Sequence, residues 1–233
     1  MYTLPCKATI SNCDRDGRLK LHCALQMMQD CSELWIDSEP AVQRCFEDEG
    51  MAQLLVSRQV EVVRVPSCKE DLTVSTSVYD VKPMFGFRNT FVHDAAGRPC
   101  YRTWSMGAFV DRATGRLKRA TPAMLATMRL EPRLEMEYGE RRIRLPDGGG
   151  EKAAPIPVAK ADIDYNRHVN NACYVRMAEE LLPDGFQVRG LRVEYRIPAK
   201  LGDVLLPEVF RCGDAFTVAL FLRGAPAVLV EFT

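Results

Sequence analysis

The chain has 233 residues, with 31 basic and 31 acidic side chains and therefore no formal net charge. Its apolar fraction of 47% and charged fraction of 27% are ordinary for a folded globular protein and exclude intrinsic disorder. The balanced charge argues against a dedicated nucleic-acid binder, and no apolar run approaches the roughly 18 residues that a membrane helix needs. Residues 1–10 lack the charged start and apolar stretch of a signal peptide, so we expect a cytoplasmic protein.

Nine cysteines are scattered singly along the chain, without a Cys-x-x-Cys pair. Disulfide scaffolds and zinc fingers space their cysteines more closely. We therefore interpret these residues as reduced thiols that pack as small apolar side chains, and we expect no metal site. Because the sequence also lacks a glycine-rich nucleotide loop and a serine-centred elbow, we expect no cofactor.

The first half of the chain predicts one strand, one long helix and four further strands. Residues 3–10 are expected to form a short strand, and apolar side chains from Leu21 to Trp35 recur at helical spacing. After a polar stretch, residues 51–56 are predicted as a second short helix. From Gln59 the period changes to two, which predicts strands over residues 60–65, 72–81, 86–93 and 100–110. This order is typical of an α+β unit.

The second half repeats this order after an interruption. Residues 131–152 carry a basic run and the sequence Pro-Asp-Gly-Gly-Gly, which is typical of a linker. The pattern then restarts with a strand over 154–161, a helix over 169–182 and strands over 188–197, 204–212, 215–223 and 227–232. We therefore divide the chain into an N-terminal unit 1–130, a linker 131–152 and a C-terminal unit 153–233.

Short motifs support an internal repeat of the unit. Arg64-Val65-Pro66 with Asp71-Leu72 recurs as Arg196-Ile197-Pro198 with Asp203-Val204, at a shift of 132 residues. The turn before the long helix also recurs, with Asp14-Arg15-Asp16 matched to Asp162-Ile163-Asp164 at a shift of 148. Two units with one fold should differ where a single site has been acquired.

The second copy of this turn contains polar side chains that the first copy lacks. In this alignment Asn166 and His168 replace Arg18 and Lys20, and three of the five asparagines lie within 166–171. With Asp164, they place a carboxylate, an amide and an imidazole just before a helix N-terminus, whose N–H groups can stabilise an oxyanion. A carboxylate and an imidazole can activate water, so the cluster suits acyl transfer to water. A simple helix cap is the structural alternative.

A family resemblance rests on this segment. The run from Asp162 to Asn171, Asp-Ile-Asp-Tyr-Asn-Arg-His-Val-Asn-Asn, closely resembles the active-site motif Asp-x-Asn-x-His-Val-Asn-Asn of the acyl-ACP thioesterases. The resemblance covers nearly the whole chain and implies a tandem hot-dog fold, in which each unit is a long helix wrapped by an antiparallel sheet. It implies hydrolysis of fatty acyl thioesters on acyl carrier protein, the step that ends chain elongation in fatty acid biosynthesis. It assigns catalysis to Asp164, Asn166 and His168.

One departure from the family pattern lies in the strand after the helix. The plant-type pattern continues there with Tyr-Arg-Arg followed by Glu and Cys, whereas Pro198 and Ala199 stand where that Glu and Cys would be. Because neither residue can act as a base or a nucleophile, Asp164 and His168 must do more of the chemistry, or another carboxylate, such as Glu194, substitutes. Cys173 in the helix is interpreted as a packing residue.

The resemblance also implies an acyl pocket and a docking surface. In this family the first unit contributes much of the pocket, and the candidate lining residues, which could equally be plain core, are Met27, Met28, Leu34, Trp35 and Phe85. Because acyl carrier protein is acidic, a basic patch is expected to dock it. The candidate patches are Arg116, Lys118 and Arg119 in one run and Arg141, Arg142 and Arg144 in another. A homodimer is left open.

Two other functions stay open from the sequence alone. A hot-dog enoyl-thioester hydratase has a motif resembling Asp-x-Asn-Pro-x-His, with five residues from Asp to His. Here the spacing from Asp164 to His168 is four and Arg167 replaces the proline, which argues against that enzyme. A module that binds acyl groups or carrier protein without catalysis would keep the fold and lack the Glu and Cys. Release of free thiol from acyl-loaded carrier protein distinguishes a hydrolase from such a module.

Overall fold

The computed structural model describes residues 1–233, and these residues form two compact units. The first unit comprises Met1–Val56 and Val62–Tyr138, and the second comprises Ser57–Glu61 and Gly139–Thr233. Each unit combines an antiparallel sheet with a helix packed on that sheet. The predicted α+β architecture is therefore confirmed. None of the helices is both long and apolar enough to cross a membrane.

The first unit is built around the long helix α1. Its strands β1, β3, β4 and β5 are neighbours in that order, and every pair is antiparallel. The elements are β1 (Tyr2–Lys7), a 3-10 turn (Ile10–Asn12), α1 (Leu21–Asp37), α2 (Pro40–Asp48), β2 (Met51–Val62), β3 (Asp71–Lys82), β4 (Phe85–Asp94), β5 (Pro99–Asp111) and α3 (Pro122–Thr127).

Helix α1 packs on β1, β3 and β4 through the apolar face that the sequence predicts. Leu21, Leu25, Met28 and Trp35 are all buried on this face. Burial of such side chains contributes roughly 1.5–3 kcal/mol each, so the face fixes the helix on the sheet. The predicted helix at 21–36 is confirmed to within one residue.

The segment after α1 differs from the prediction in two ways. Residues 51–56 were expected to be helical but form the first half of β2, so that prediction is wrong. The helix lies earlier, as α2, where Pro40 occupies the first turn and Val42 and Phe46 are buried. Proline is favoured at a helix start because its missing N–H has no intrahelical partner there, so Pro40 begins this helix.

The second unit has the same kind of sheet with a shorter helix. Its strands β8, β11, β10 and β9 are neighbours in that order, and Ser57–Glu61 of β2 pair antiparallel with β8. The strand predicted over 154–161 is shorter in the structure, where only the two residues of β7 (Ile156–Pro157) form a paired strand. The elements are β6 (Glu151–Lys152), β7 (Ile156–Pro157), a 3-10 turn (Lys160–Asp162), α4 (Asn171–Glu179), β8 (Gly190–Tyr195), β9 (Val204–Cys212), β10 (Ala215–Leu222) and β11 (Ala225–Phe232).

The two faces of β8 have different neighbours. Helix α4 packs on β10 and β11, and Tyr195 of β8 contacts this helix. On the opposite face, Ile143 packs with Phe210, Ala219 and Leu229 in a small apolar core. Part of the predicted linker is therefore a buried structural segment of the second unit.

Candidate active site

Residues 164–168 form a tight turn immediately before α4. The Asp164 N–H donates to the His168 carbonyl at 2.9 Å, and the Arg167 N–H donates back to the Asp164 carbonyl at 2.9 Å. The Asp164 carboxylate accepts the Asn166 N–H at 2.9 Å. Arg167 has a φ of 62°, a left-handed conformation that closes the turn. The turn therefore places Asp164, Asn166 and His168 close together along the backbone.

The first unit contains the same turn, which corrects the sequence alignment. The Asp14 N–H donates to the Arg18 carbonyl at 2.8 Å, and the Asp14 carboxylate accepts the Asp16 N–H at 2.9 Å. Asp14 thus corresponds to Asp164, at a shift of 150 residues and not the predicted 148. Asn166 and His168 consequently replace Asp16 and Arg18, and not Arg18 and Lys20.

A second pair of contacts corrects the other shift. The Ser67 N–H donates to the Glu70 carboxylate, and the Lys200 N–H donates to the Asp203 carboxylate, both at 2.9 Å. These loops therefore match at 133 residues and not at 132. The recurrence of Arg-x-Pro in the sequence is one residue out of structural register.

The side chains of the turn differ in their surroundings. Asn166 is exposed, whereas Asp164 and His168 are half-buried. The hydrogen bonds of the turn use the backbone of Asn166 and His168. Their amide and imidazole groups therefore remain free to contact a ligand, as a general acid or base must.

Two neighbouring polar residues of the motif have structural roles. Asn170 caps α4, because its side-chain oxygen accepts the Ala172 N–H at 2.9 Å. Asp162 is buried, accepts the Ala159 N–H at 2.8 Å and forms an ion pair of 2.7 Å with Arg176 in α4. The helix-cap interpretation thus applies to Asn170, while Asp162 fixes the approach of the chain to the helix.

Ala199, at the family Cys position, contacts α4 and the preceding Val169 through its backbone. The Ala199 N–H donates to the Tyr174 hydroxyl at 2.7 Å, and the Ala199 carbonyl accepts the Val169 N–H at 2.9 Å. Ala199 is buried, whereas Pro198 is exposed. Burial raises the pKa of Tyr174 to about 12, so its hydroxyl stays neutral and holds the loop.

The surroundings of Glu194 and Cys173 favour structural roles over reactive ones. Burial raises the pKa of the Cys173 thiol, which favours the packing role. The Glu194 carboxylate accepts the Ile143 N–H at 3.0 Å and an Arg196 N–H at 2.9 Å, and Arg141 lies 3.7 Å away. These contacts lower the pKa of Glu194, although burial alone would raise it. These contacts favour a structural role for Glu194.

Sequence reasoning missed Tyr195, which contacts the first residue of α4, and Arg58, which lies next to Tyr195. The Tyr195 hydroxyl donates to the Asn171 carbonyl at 3.2 Å, and Arg58 is a buried neighbour of the Tyr195 ring. One feature of the sequence could have marked Arg58 as unusual. Arg58 shares the parity of Val60 and Val62 in a period-two strand, so a charged residue interrupts an inward-facing apolar stripe.

The structure contains no group of three or more His, Cys, Asp or Glu side chains placed to hold a metal ion. All nine cysteines are free thiols.

Comparison with solved structures defines the class of fold. An acyl-ACP thioesterase from Bacteroides thetaiotaomicron matches with a TM-score of 0.87 and 20% identity, covering 99% of this chain and 96% of its own. The 12:0-ACP thioesterase from Umbellularia californica matches with a TM-score of 0.83 and 16% identity over 99% and 96% of the two chains. The fold is therefore the predicted tandem hot-dog fold. No curated protein sequence is similar enough to match.

The family follows from the sequence profiles of its two domains. The acyl-ACP thioesterase N-terminal domain matches residues 2–128, and the acyl-ACP thioesterase C-terminal domain matches residues 149–207. The chain belongs to the acyl-ACP thioesterase family. It is a thioester hydrolase that acts on fatty acyl groups carried by acyl carrier protein, as the motif predicts, which places it in fatty acid biosynthesis.

Proposed function

We propose that Asp164, Asn166 and His168 catalyse the hydrolysis of the acyl thioester in this chain. The supporting observation is the pair of matching turns at Asp14 and Asp164. Both turns have the same backbone hydrogen bonds, yet only the second has an amide and an imidazole free to contact a ligand. A turn that needed only to be stable would not require these two replacements.

The chemistry assigns each group a role. His168 accepts a proton from water as the water oxygen attacks the thioester carbon, and Asp164 orients the water. The electron pair of the carbonyl moves onto its oxygen, which accepts a hydrogen bond from the Asn166 amide. The intermediate then collapses, the carbon–sulfur bond breaks, and His168 returns the proton to the departing thiolate. The products are the free fatty acid and the carrier thiol.

We propose that the acyl chain enters an open cleft in the first unit. It has an empty volume of about 270 Å³, including its mouth. Of the five lining residues suggested by the family resemblance, Trp35 lines it, whereas Met27, Met28, Leu34 and Phe85 do not. Its walls are Trp35, Phe46, Gln53, Val78, Val81, Gly86, Phe87, Arg88, Phe109 and Met128. We infer that the N-terminal unit 1–130 holds the acyl chain, that the segment 131–152 connects the two units along the chain, and that 153–233 is the catalytic unit.

Ion pairs made by the two basic runs exclude some of their residues as candidates for docking the carrier protein. Lys118 pairs with Glu49 at 3.8 Å, and Arg141 pairs with the buried Glu194. The exposed residues of the two runs are Arg116, Arg119, Arg142 and Arg144. We propose that the exposed arginines of one of these two runs, Arg116 with Arg119 or Arg142 with Arg144, bind the acidic carrier protein. The cytoplasmic location, which the nine free thiols favour, and the homodimer stay predictions.

The experiment is thiol release from acyl carrier protein loaded with acyl groups of graded length. We expect His168→Ala to remove nearly all turnover and Asn166→Ala to lower it by about 10²-fold or more, the loss typical of a missing oxyanion donor. Arg18→Ala and Asp16→Ala, at the matching positions of the first unit, serve as controls that keep turnover. Wild-type turnover in His168→Ala, or no hydrolysis of any acyl length by the wild-type chain, contradicts the proposal.

A further inference from the structure

Arg58 is a charged side chain buried without a compensating charge. The residue is only 4% exposed, and its Nε has no hydrogen-bond partner. Burial lowers the pKa of the guanidinium, and the neighbour that opposes this effect is the Tyr195 phenol. Burying a charge without a partner is costly, so the position is one at which a purely structural residue would be apolar.

Arg88, the other buried arginine, stacks on Trp35 and donates to the Thr76 hydroxyl, and three further arginines have carboxylate partners. Arg64 pairs with Glu70 and Asp94, Arg176 pairs with Asp162, and Arg192 makes two hydrogen bonds of 2.7 Å with Glu231. In each case a carboxylate neutralises the guanidinium. Arg58 therefore stands out as a site for an anionic group that the chain itself does not supply.

The sheet register directs Arg58 toward α4. Arg58 is opposite Val193 in the antiparallel pair of β2 and β8, and opposite residues point to the same face of a sheet. Val193 shares its face with Tyr195, two residues further on, whose hydroxyl contacts the Asn171 carbonyl at the first turn of α4. Arg58 thus lies on the same face of the sheet as Tyr195, the face that contacts the start of α4.

We propose that the Arg58 guanidinium binds the carboxyl oxygen of the acyl group, first as the oxyanion of the intermediate and then as the carboxylate of the product. This proposal rests on the proposed function of the turn at Asp164. When water adds to the thioester carbon, the carbonyl electron pair becomes an oxyanion, which Arg58 neutralises by a charge-assisted hydrogen bond. When the pair returns and the carbon–sulfur bond breaks, the thiolate leaves with the proton from His168, and the carboxylic acid gives its own proton to solvent water and stays paired with Arg58 as a carboxylate.

The test compares Arg58→Met with Arg192→Gln, a control on the opposite face of β8. We expect Arg58→Met to lower kcat by about 10²-fold or more, because it removes a donor to the oxyanion. The same change should raise Tm by about 2–4 °C, because it removes an uncompensated buried charge. Arg192→Gln should lower Tm and leave kcat unchanged. A structural role for Arg58 predicts the opposite pattern, a lower Tm with kcat retained.

A binding experiment separates this proposal from the function on which it rests. Calorimetry with hexanoate and hexanamide should show tighter binding of hexanoate to the wild-type chain and loss of that preference in Arg58→Met. Arg58→Lys, which keeps the charge, should recover part of the preference. If the wild-type chain hydrolyses acyl carrier protein but shows no preference for hexanoate, Arg58 is wrongly assigned. If it prefers hexanoate but hydrolyses no thioester, the proposed function fails and the carboxylate site stands.

Discussion

Asp164 combines a structural contact with a proposed catalytic role, and its counterpart Asp14 has the structural contact alone. Both carboxylates accept the N–H group two residues ahead at 2.9 Å, which stabilises the turn. An aspartate at this position is therefore explained by the turn alone in the first unit. In the proposed mechanism, the same carboxylate acts in the second unit because Asn166 and His168 are its neighbours.

This comparison leads to a prediction for the two aspartates. Asn can accept the same backbone hydrogen bond as Asp but cannot act as an anion, so Asp164→Asn should keep the fold and lower turnover by about 10²-fold or more. Asp14→Asn makes the same chemical change in the first unit and should keep turnover. Steady-state kinetics with circular dichroism as a check on folding would test both. Equal effects of the two substitutions would mean that Asp164 acts only through its turn.

Glu194 provides a second prediction at the residue scale. Its folded-state pKa is lowered, so the carboxylate stabilises the fold above its unfolded pKa of about 4.3, and this contribution is lost as the pH falls through the lower folded value. Glu194→Gln should therefore lower Tm at pH 7. Between about pH 5 and pH 3, the range around the unfolded pKa, the Tm of the variant should fall less than that of the wild-type chain.

Activity measurements on the same variant decide whether Glu194 replaces the family Glu. Because its carboxylate is held by Ile143, Arg196 and Arg141, we expect folded Glu194→Gln to keep its kcat. A large loss of kcat at a temperature where the variant is fully folded would show that Glu194 takes part in the chemistry.

Secondary-structure elements with one dominant pattern could be predicted, and elements with competing signals could not. Helix α1 follows from its apolar face, and the strands after Gln59 follow from their period. Residues 51–56, Met-Ala-Gln-Leu-Leu-Val, have good helix formers but pair in a sheet, where tertiary contacts override local propensity. The turn at Asp164 could be proposed as the site from its residue types, yet its match to the turn at Asp14 needed the hydrogen bonds of the structure. Arg58 could not be assigned because burial of a lone charge is visible only in the fold.

The pocket of the first unit provides a prediction at this scale. Gly86 in β4 is opposite Gly107 in β5, and Gln53 lies over both, so that a Cβ on either glycine would come within 2.6–2.7 Å of its side chain. The glycine pair thus makes room for Gln53, whose amide fills part of the pocket. Gln53→Ala should enlarge the pocket and shift the preference toward longer acyl chains, by about 10-fold or more in relative kcat/KM for each methylene admitted.

The control for this pocket is Gln43→Ala. Gln43 lies in α2, is half-buried as well, and is not among the residues that line the pocket. It should keep the wild-type chain-length profile across a series of acyl carrier protein substrates. An unchanged profile in Gln53→Ala would mean that this pocket does not hold the acyl chain.

At the scale of the whole molecule, the net charge of zero conceals local differences. Many charges are neutralised within the fold, as Arg64, Arg176 and Arg192 are by carboxylates. The charges that remain available to a partner are those at exposed positions without such a pair. An acidic partner therefore interacts with the exposed residues of the basic runs, and the net charge of the chain does not determine its binding.

Exposed arginines of the basic runs are therefore expected to recognise the carrier protein. Reversing the exposed charges, with Arg142→Glu and Arg144→Glu in one variant and Arg116→Glu and Arg119→Glu in another, should lower kcat/KM toward acyl carrier protein in at least one variant. The loss should shrink at high salt, because exposed charges are screened over about 10 Å at 0.1 M ionic strength. A simple acyl thioester of a small neutral thiol should be hydrolysed at the wild-type rate by both variants, because it lacks the acidic protein. Unchanged kcat/KM toward the carrier protein in both variants would show that it docks elsewhere, and equal losses on both substrates would show damage to the site instead of to docking.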